Sequence, residues 1–265
     1  MIALLPDGLE LAYDDAGAGV PLLLLHGWPH DRTLWAGQVR GLVTHARCIA
    51  PDLRGFGGSS VAAPYTIDRY ADDAAALMDS LGIERAVIGG LSMGGYVAFA
   101  MLRRHRDRIR ALVLADTRAT ADTDEVRSNR MRLIALIEEH GVEALAARQL
   151  RPTLGRSTFE QQPELVEAVR RMMASAPAEG AIGALRAMAE RPDSSALLSA
   201  IGVPTLVVGG AEDTFTLPSE LEALAAAIPG SRLELLERCG HVCPIERPAA
   251  FNHVVAEFLA TLVYD

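Results

Sequence analysis

The sequence predicts an α/β protein: an eight-stranded, mostly parallel sheet with helices on both faces and an all-helical segment inserted after the sixth strand. Three observations predict it. Short apolar, β-branched runs alternate with longer stretches of helical period, the pattern of a parallel sheet covered on both sides. The runs read as near-continuous apolar segments, as strands buried on both faces do. From about Ala119 to Ala200 the alternation stops: no segment reads as a strand, and helical stretches follow one another.

Taken in order, Ile2–Leu5 and Leu9–Tyr13 flank Pro6-Asp7-Gly8 and predict an antiparallel hairpin at one end of the sheet. Pro21–Leu25, Cys48–Ala50, Ala86–Gly90, Ala111–Ala115, Thr205–Val208 and Arg232–Leu236 supply the buried strands. Helices are expected over Leu34–His45, Ile67–Leu81, Gly94–His105, Pro218–Ile228 and Pro248–Val263. Inside the insertion, Glu125–His140 stops at Gly141, and Val142–Leu150, Pro163–Ala176 and Ala178–Glu190 follow. A glycine stop and proline starts are ordinary helix punctuation. The expected division is a core of residues 1–118 and 201–265 and a helical segment of residues 119–200. Met131, Met172, Met173 and Met188 fall in that segment, as pocket lining or as core packing among its helices.

The chain has 265 residues, half of them apolar, and a formal net charge of −9. An acidic chain repels phosphate backbones, so nucleic acid is not an expected partner. Met1–Glu10 carries no basic region and no long apolar run, so neither a secretory signal nor a membrane span is expected. Cys239 and Cys243 lack zinc-knuckle spacing, and three cysteines cannot all pair within one chain. Buried thiols suit a reducing cytoplasm. No metal or cofactor is expected.

Gly90-Leu91-Ser92-Met93-Gly94 follows a strand and opens a helix. A serine that projects above a sheet edge needs a very sharp turn, and side chains two residues to either side would clash. The helix N-terminus then aims free N–H groups where negative charge develops. Ser92 is therefore the candidate nucleophile. A serine hydroxyl needs a base, and histidine titrates near neutrality. His241, in Cys239-Gly240-His241-Val242-Cys243-Pro244, lies between the last strand and the last helix, at the sheet edge that also holds Ser92. His26, in His26-Gly27-Trp28-Pro29, reads as structural, and His30 as a loop residue near the mouth with an open role. The base needs a carboxylate on its other nitrogen. Asp213 and Asp116 both follow strands, with Glu212 a third choice; the order Ser92, Asp213, His241 fits the Ser…Asp…His order and favours Asp213. Two N–H donors are needed for an oxyanion. Met93 offers one, and Trp28, after the small Gly27, the other.

With these motifs the whole chain resembles the α/β-hydrolase superfamily. Leu25-His26-Gly27-Trp28-Pro29 is similar to its oxyanion loop, and Asp52-Leu53-Arg54-Gly55-Phe56-Gly57-Gly58-Ser59-Ser60 to its D-x-R-G-x-G-x-S segment. Gly90–Gly95 resembles its nucleophile elbow, Gly209–Asp213 its acid loop and Gly240-His241 its base loop. The resemblance implies that residues 119–200 form the family's cap. Serine at the elbow argues against the aspartate branches, the haloalkane dehalogenases and epoxide hydrolases. The His-Gly-Trp-Pro loop and Gly-x-Ser-Met-Gly-Gly elbow are similar to bacterial arylesterases and perhydrolases. Leu114-Ala115-Asp116-Thr117, leading into Glu125 and Arg127, is similar to 3-oxoadipate enol-lactonases. The expected reaction is hydrolysis of a small to medium apolar ester or lactone through an acyl-enzyme. A perhydrolase or acyltransferase with the same intermediate, and a low-turnover ligand receptor on the same fold, are the competing readings. His30, Met172, Met173 and Met188 are the candidate pocket residues.

Overall fold

The computed structural model describes residues 1–262. Eight strands form one open sheet in the order β1-β2-β4-β3-β5-β6-β7-β8. They are β1 (Ile2–Leu4), β2 (Glu10–Ala16), β3 (Pro21–Leu25), β4 (Arg47–Pro51), β5 (Ala86–Leu91), β6 (Ile109–Ala115), β7 (Thr205–Gly210) and β8 (Arg232–Leu236). The first two pair as the expected antiparallel hairpin, with Ile2 opposite Ala12. β2 also runs antiparallel to β4, and every pairing from β4 to β8 is parallel.

Alternate residues of β3 show why this strand is apolar throughout. Leu23 and Leu25 join one core cluster and Leu22 and Leu24 the other, all nearly without solvent contact. The first face is covered by α2 (Ile67–Ser80) and α3 (Met93–Arg104), through residues such as Tyr70, Leu77, Val97 and Met101. The second is covered by α1 (Ala36–Gly41) and α10 (Pro248–Ala260), through Trp35 just ahead of α1 and through Phe251 and Val255. Thr66 caps α2 by accepting from the Arg69 N–H at 2.9 Å, a contact of a kind worth about 1 kcal/mol.

The helix expected over Leu34–His45 is shorter than predicted: a 3-10 turn, Arg32–Trp35, and then α1 alone. Two glycines within it weaken the helix by about 1 kcal/mol each relative to alanine. They are there for contact: a Cβ on Gly41 would fall 2.1 Å from the Asn252 side chain of α10. α10 follows its expected course, and the end of that expectation, Val263, lies outside the described residues.

Between β6 and β7 there is no strand among the described residues, only α4 (Asp124–Thr153), α5 (Arg156–Gln161), α6 (Pro163–Ala174), α7 (Ala178–Glu190) and the 3-10 turn Ser195–Ala200. α4 is broken at Gly141, where φ is 78°, a left-handed conformation that glycine adopts without penalty. The sequence signal for a stop there thus corresponds to an interruption. α5 and the short α9 (Cys243–Glu246) were not expected. β6 ends at the same sheet edge as β5, so the insertion leaves beside the turn that carries Ser92, and the chain re-enters the parallel strand β7 from the opposite edge. α8 (Pro218–Ala227) completes the layer beside β7 and β8. Among the described residues no helix is long and apolar enough to cross a membrane.

Candidate active site

Ser92 sits between the end of β5 and the start of α3 with φ 53° and ψ −111°. That conformation costs a non-glycine residue on the order of 1–3 kcal/mol. Its surroundings hold it there. The Ser92 N–H donates to the Ala115 carbonyl at 2.9 Å, and the Ser92 carbonyl accepts from Gly95 N–H at 2.9 Å and Thr117 Oγ1 at 2.8 Å. The flanking glycines are small because the turn folds on itself. A Cβ on Gly90 would lie 2.3 Å from the Gly94 carbonyl oxygen, and one on Gly94 2.1 Å from the Leu25 carbonyl oxygen.

His241 and Asp213 meet from different loops. Asp213 follows β7, His241 follows β8, and His241 Nδ1 lies 2.7 Å from Asp213 Oδ2. The other carboxylate oxygen, Oδ1, accepts from the Phe215 N–H at 2.7 Å. With Nδ1 on the carboxylate, Nε2 is the nitrogen left for proton exchange. The edge of the His241 ring also packs against Phe215, centroids 5.1 Å apart. The other two carboxylates named from the sequence go elsewhere. Glu212 accepts from the Arg156 N–H. Asp116 Oδ1 accepts from Gly210 N–H at 2.8 Å. Burial, and then the nearby Asp213, push the Asp116 carboxyl well above the usual range. Of the two neighbouring carboxyls, the one in contact with the imidazole is Asp213.

Gly27 brings the loop after β3 against the nucleophile: a Cβ there would lie 2.7 Å from Leu91 Cδ2 and 3.3 Å from Ser92 Cβ. This places the Trp28 backbone beside Ser92. Met93 opens α3, where the first N–H groups have no acceptor within the helix. The Trp28 indole Nε1–H donates to the Ala181 carbonyl of α7 at 3.0 Å.

His26 is fully buried, and its Nε2 accepts from the Leu53 N–H at 2.9 Å, which leaves Nδ1–H to donate to the Gly27 carbonyl. The ring ties the loop after β3 to the Asp52–Ser60 segment. Replacing His26 by leucine should cost about 1–3 kcal/mol of stability, the usual consequence of orphaning a buried amide; urea unfolding measures it. An unchanged midpoint would remove His26 from this role. His30 is equally buried and its N–H closes a turn onto the Gly27 carbonyl at 3.0 Å. Burial first, then the His241 and His26 rings, push its imidazole down to about 3. It is a neutral ring and is not part of the cavity wall.

Ser92 and His241 open on a cavity of about 330 Å³. The insertion supplies much of its wall, including Leu133, Met173 and Met188. Met172 packs against the second core cluster and Met131 is exposed. Neighbours on a helix point about 100° apart, so Met172 and Met173 cannot both face the same wall. The cavity is also less apolar than the sequence suggests. Arg118, Asp122, Asn129, Arg130 and Gln149 line it too. Asp122 is bound by both Arg130 and Arg191, and Arg118 by Glu220 at 3.2 Å. Sequence reasoning passed over these. Arg118 could have been flagged by its place two residues beyond Asp116 at a strand end.

Comparison with known proteins agrees with this architecture. Residues 20–248 match the family model described as the alpha/beta hydrolase fold. The 3-oxoadipate enol-lactonase 2 of Acinetobacter baylyi is 32% identical over 224 residues, 84% of this chain and 82% of that protein. A thermophilic esterase from Thermogutta terrifontis superposes with a TM-score of 0.95 at 42% identity, covering 99% of this chain and 98% of the esterase. The enol-lactonase of Burkholderia xenovorans LB400 gives 0.90 at 32% identity, covering 98% of this chain and 100% of that enzyme. With strand order, elbow geometry and a match across most of its length in agreement, the chain belongs to the α/β-hydrolase family.

Proposed function

We propose that this protein is a serine hydrolase that cleaves a small to medium carboxylic ester or lactone through an acyl-enzyme on Ser92. The observation that carries the reading is the shared cavity: Ser92, on its strained turn, faces the same space as His241, whose Nδ1 is held by Asp213. Ser92 Oγ attacks the acyl carbon while His241 Nε2 takes its proton. The oxyanion accepts hydrogen bonds from the backbone N–H groups of Met93 and Trp28. His241 then returns the proton to the departing alkoxide or enolate oxygen, and water repeats the sequence to free the acid. In a lactone the leaving oxygen stays on the acyl chain, so one hydrolysis opens the ring. The family relatives named as esterase and enol-lactonase support both forms of ester bond.

The experiment is covalent and kinetic together. A fluorophosphonate should add once per chain, at Ser92, and block turnover of a panel of acyl esters, aryl esters and lactones. Labelling of another residue with Ser92 untouched would reject the nucleophile.

Met173 and Met188 form part of the wall against which an acyl chain would lie. Changing either to alanine should shift the preferred acyl length, with kcat/KM ratios moving by roughly 10–200-fold per methylene at most. Met172→Ala should leave the acyl-length profile as it is. Identical profiles for all three variants would take the methionines out of substrate selection.

A further inference from the structure

The junction between α4 and α5 is fastened to the loop that carries the base. The Thr153 carbonyl accepts from the His241 N–H at 2.9 Å. Gly155 and Gly240 lie backbone against backbone: a Cβ on Gly155 would come 2.8 Å from Gly240 N, and one on Gly240 2.5 Å from Gly155 N. Glu246, the last residue of α9, joins the two and is 2% exposed. Its Oε1 accepts from the Gly240 N–H and its Oε2 from the Gly155 N–H, each at 2.8 Å.

Glu246 is not on the cavity wall, and no step of acyl transfer uses its carboxylate. Burying a carboxylate is unfavourable unless its acceptor sites are filled. An apolar side chain could fill the same volume without that cost. What the carboxylate adds is direction: two oxygens at fixed separation take N–H groups from two different segments. One is the residue immediately before the base. The other belongs to the insertion.

We propose that Glu246 is a positioning residue for the base: by holding Gly240 and Gly155 on its two carboxylate oxygens, it fixes the His241 backbone against the insertion and aligns the imidazole between Asp213 and Ser92. The proposal rests on the reading of Ser92, His241 and Asp213 as the catalytic triad.

The test compares the parent protein with Glu246→Gln, which keeps the size and one acceptor but turns an amide NH2 toward the other N–H. Active sites are titrated with a fluorophosphonate, and kcat per titrated site and KM are measured on a p-nitrophenyl ester. Displacing a catalytic group by about 1 Å costs about 100-fold. The expected result is a fall in kcat per titrated site of about 10- to 100-fold, with KM little changed. Gly155→Ala pushes on Gly240 from the insertion side with Glu246 intact, and should give the same pattern; it decides the matter alone if Glu246→Gln does not fold. Lower thermal stability or a smaller titratable fraction, with parental kcat per site in both variants, overturns the proposal and leaves Glu246 a brace of the fold. A parent that is not labelled at Ser92 defeats the triad reading itself, before either variant is made.

Discussion

Asp213→Asn should lower kcat by about four orders of magnitude while leaving the fold intact, the loss expected when an imidazole keeps its neighbour but loses the orienting charge. The introduced amide would still occupy the pocket, and its oxygen could accept from the Phe215 N–H as Asp213 Oδ1 does. It would no longer oblige His241 Nδ1 to carry the proton, so Nε2 would not be left as the base. The companion variant sharpens the test. Asp116 is buried, and its carboxyl is pushed well above the usual range by burial and by Asp213. An amide there mimics the protonated acid that this shift favours, and its oxygen can still accept from Gly210 N–H. Asp116→Asn should therefore keep kcat within a few-fold of the parent. Circular dichroism of both variants guards against unfolding as the cause. Loss of activity in Asp116→Asn with retention in Asp213→Asn would reverse the assignment.

Gly94→Ala should be among the most damaging single-methyl additions in the chain. The added Cβ would lie 2.1 Å from the Leu25 carbonyl oxygen and 3.0 Å from that of His26. Both oxygens are backbone, in β3 and the loop that follows it, so no side chain can swing aside. Overpacking of this kind costs about 1–3 kcal/mol, occasionally more, and a loss of about 3 kcal/mol lowers Tm by roughly 6–12 °C in a domain of this size. The distortion also separates Ser92 from the Trp28 backbone. Fluorophosphonate labelling of Ser92 should slow even in the fraction that folds. A Tm and labelling rate equal to the parent's would show that β3 yields easily, and that the tight approach has no part in holding the elbow.

Local chemistry was legible in the sequence where it has a local cause. The elbow announces itself because the turn at Ser92 admits only small neighbours, and the strand before it is apolar on both faces. The hairpin follows from Pro6-Asp7-Gly8, and the break in α4 from Gly141. The chain order separated Asp213 from Asp116, and Asp213 is the carboxylate on His241 Nδ1. Features that depend on distant packing were not legible. Periodicity carried the first helix past Gly41, since nothing local shows that Gly37 and Gly41 face α10. Met172 and Met173 are equivalent by composition, and only the rotation of α6 decides which one meets the cavity. The pairing of Arg118 with Glu220 and of Arg130 with Asp122 was not legible, because the partners lie far along the chain or beyond a helix start. Glu246 meets Gly155 across 91 residues of sequence.

Trp28 combines two duties on one residue. Its backbone borders Ser92, and its indole is tied to the Ala181 carbonyl of α7. This shapes the routes by which the enzyme can acquire new substrates. Shortening Trp28 would add volume next to Ser92, yet the same change would cut a link between the loop after β3 and the insertion. Wider specificity and slower chemistry would then arrive in one step, and a lineage under selection for turnover would be turned back from that path. Leu133, Met173 and Met188 carry no such second duty toward the loop after β3. Diversification of substrate size, whether natural or by directed evolution, is expected to accumulate at those three positions while Trp28 stays as it is.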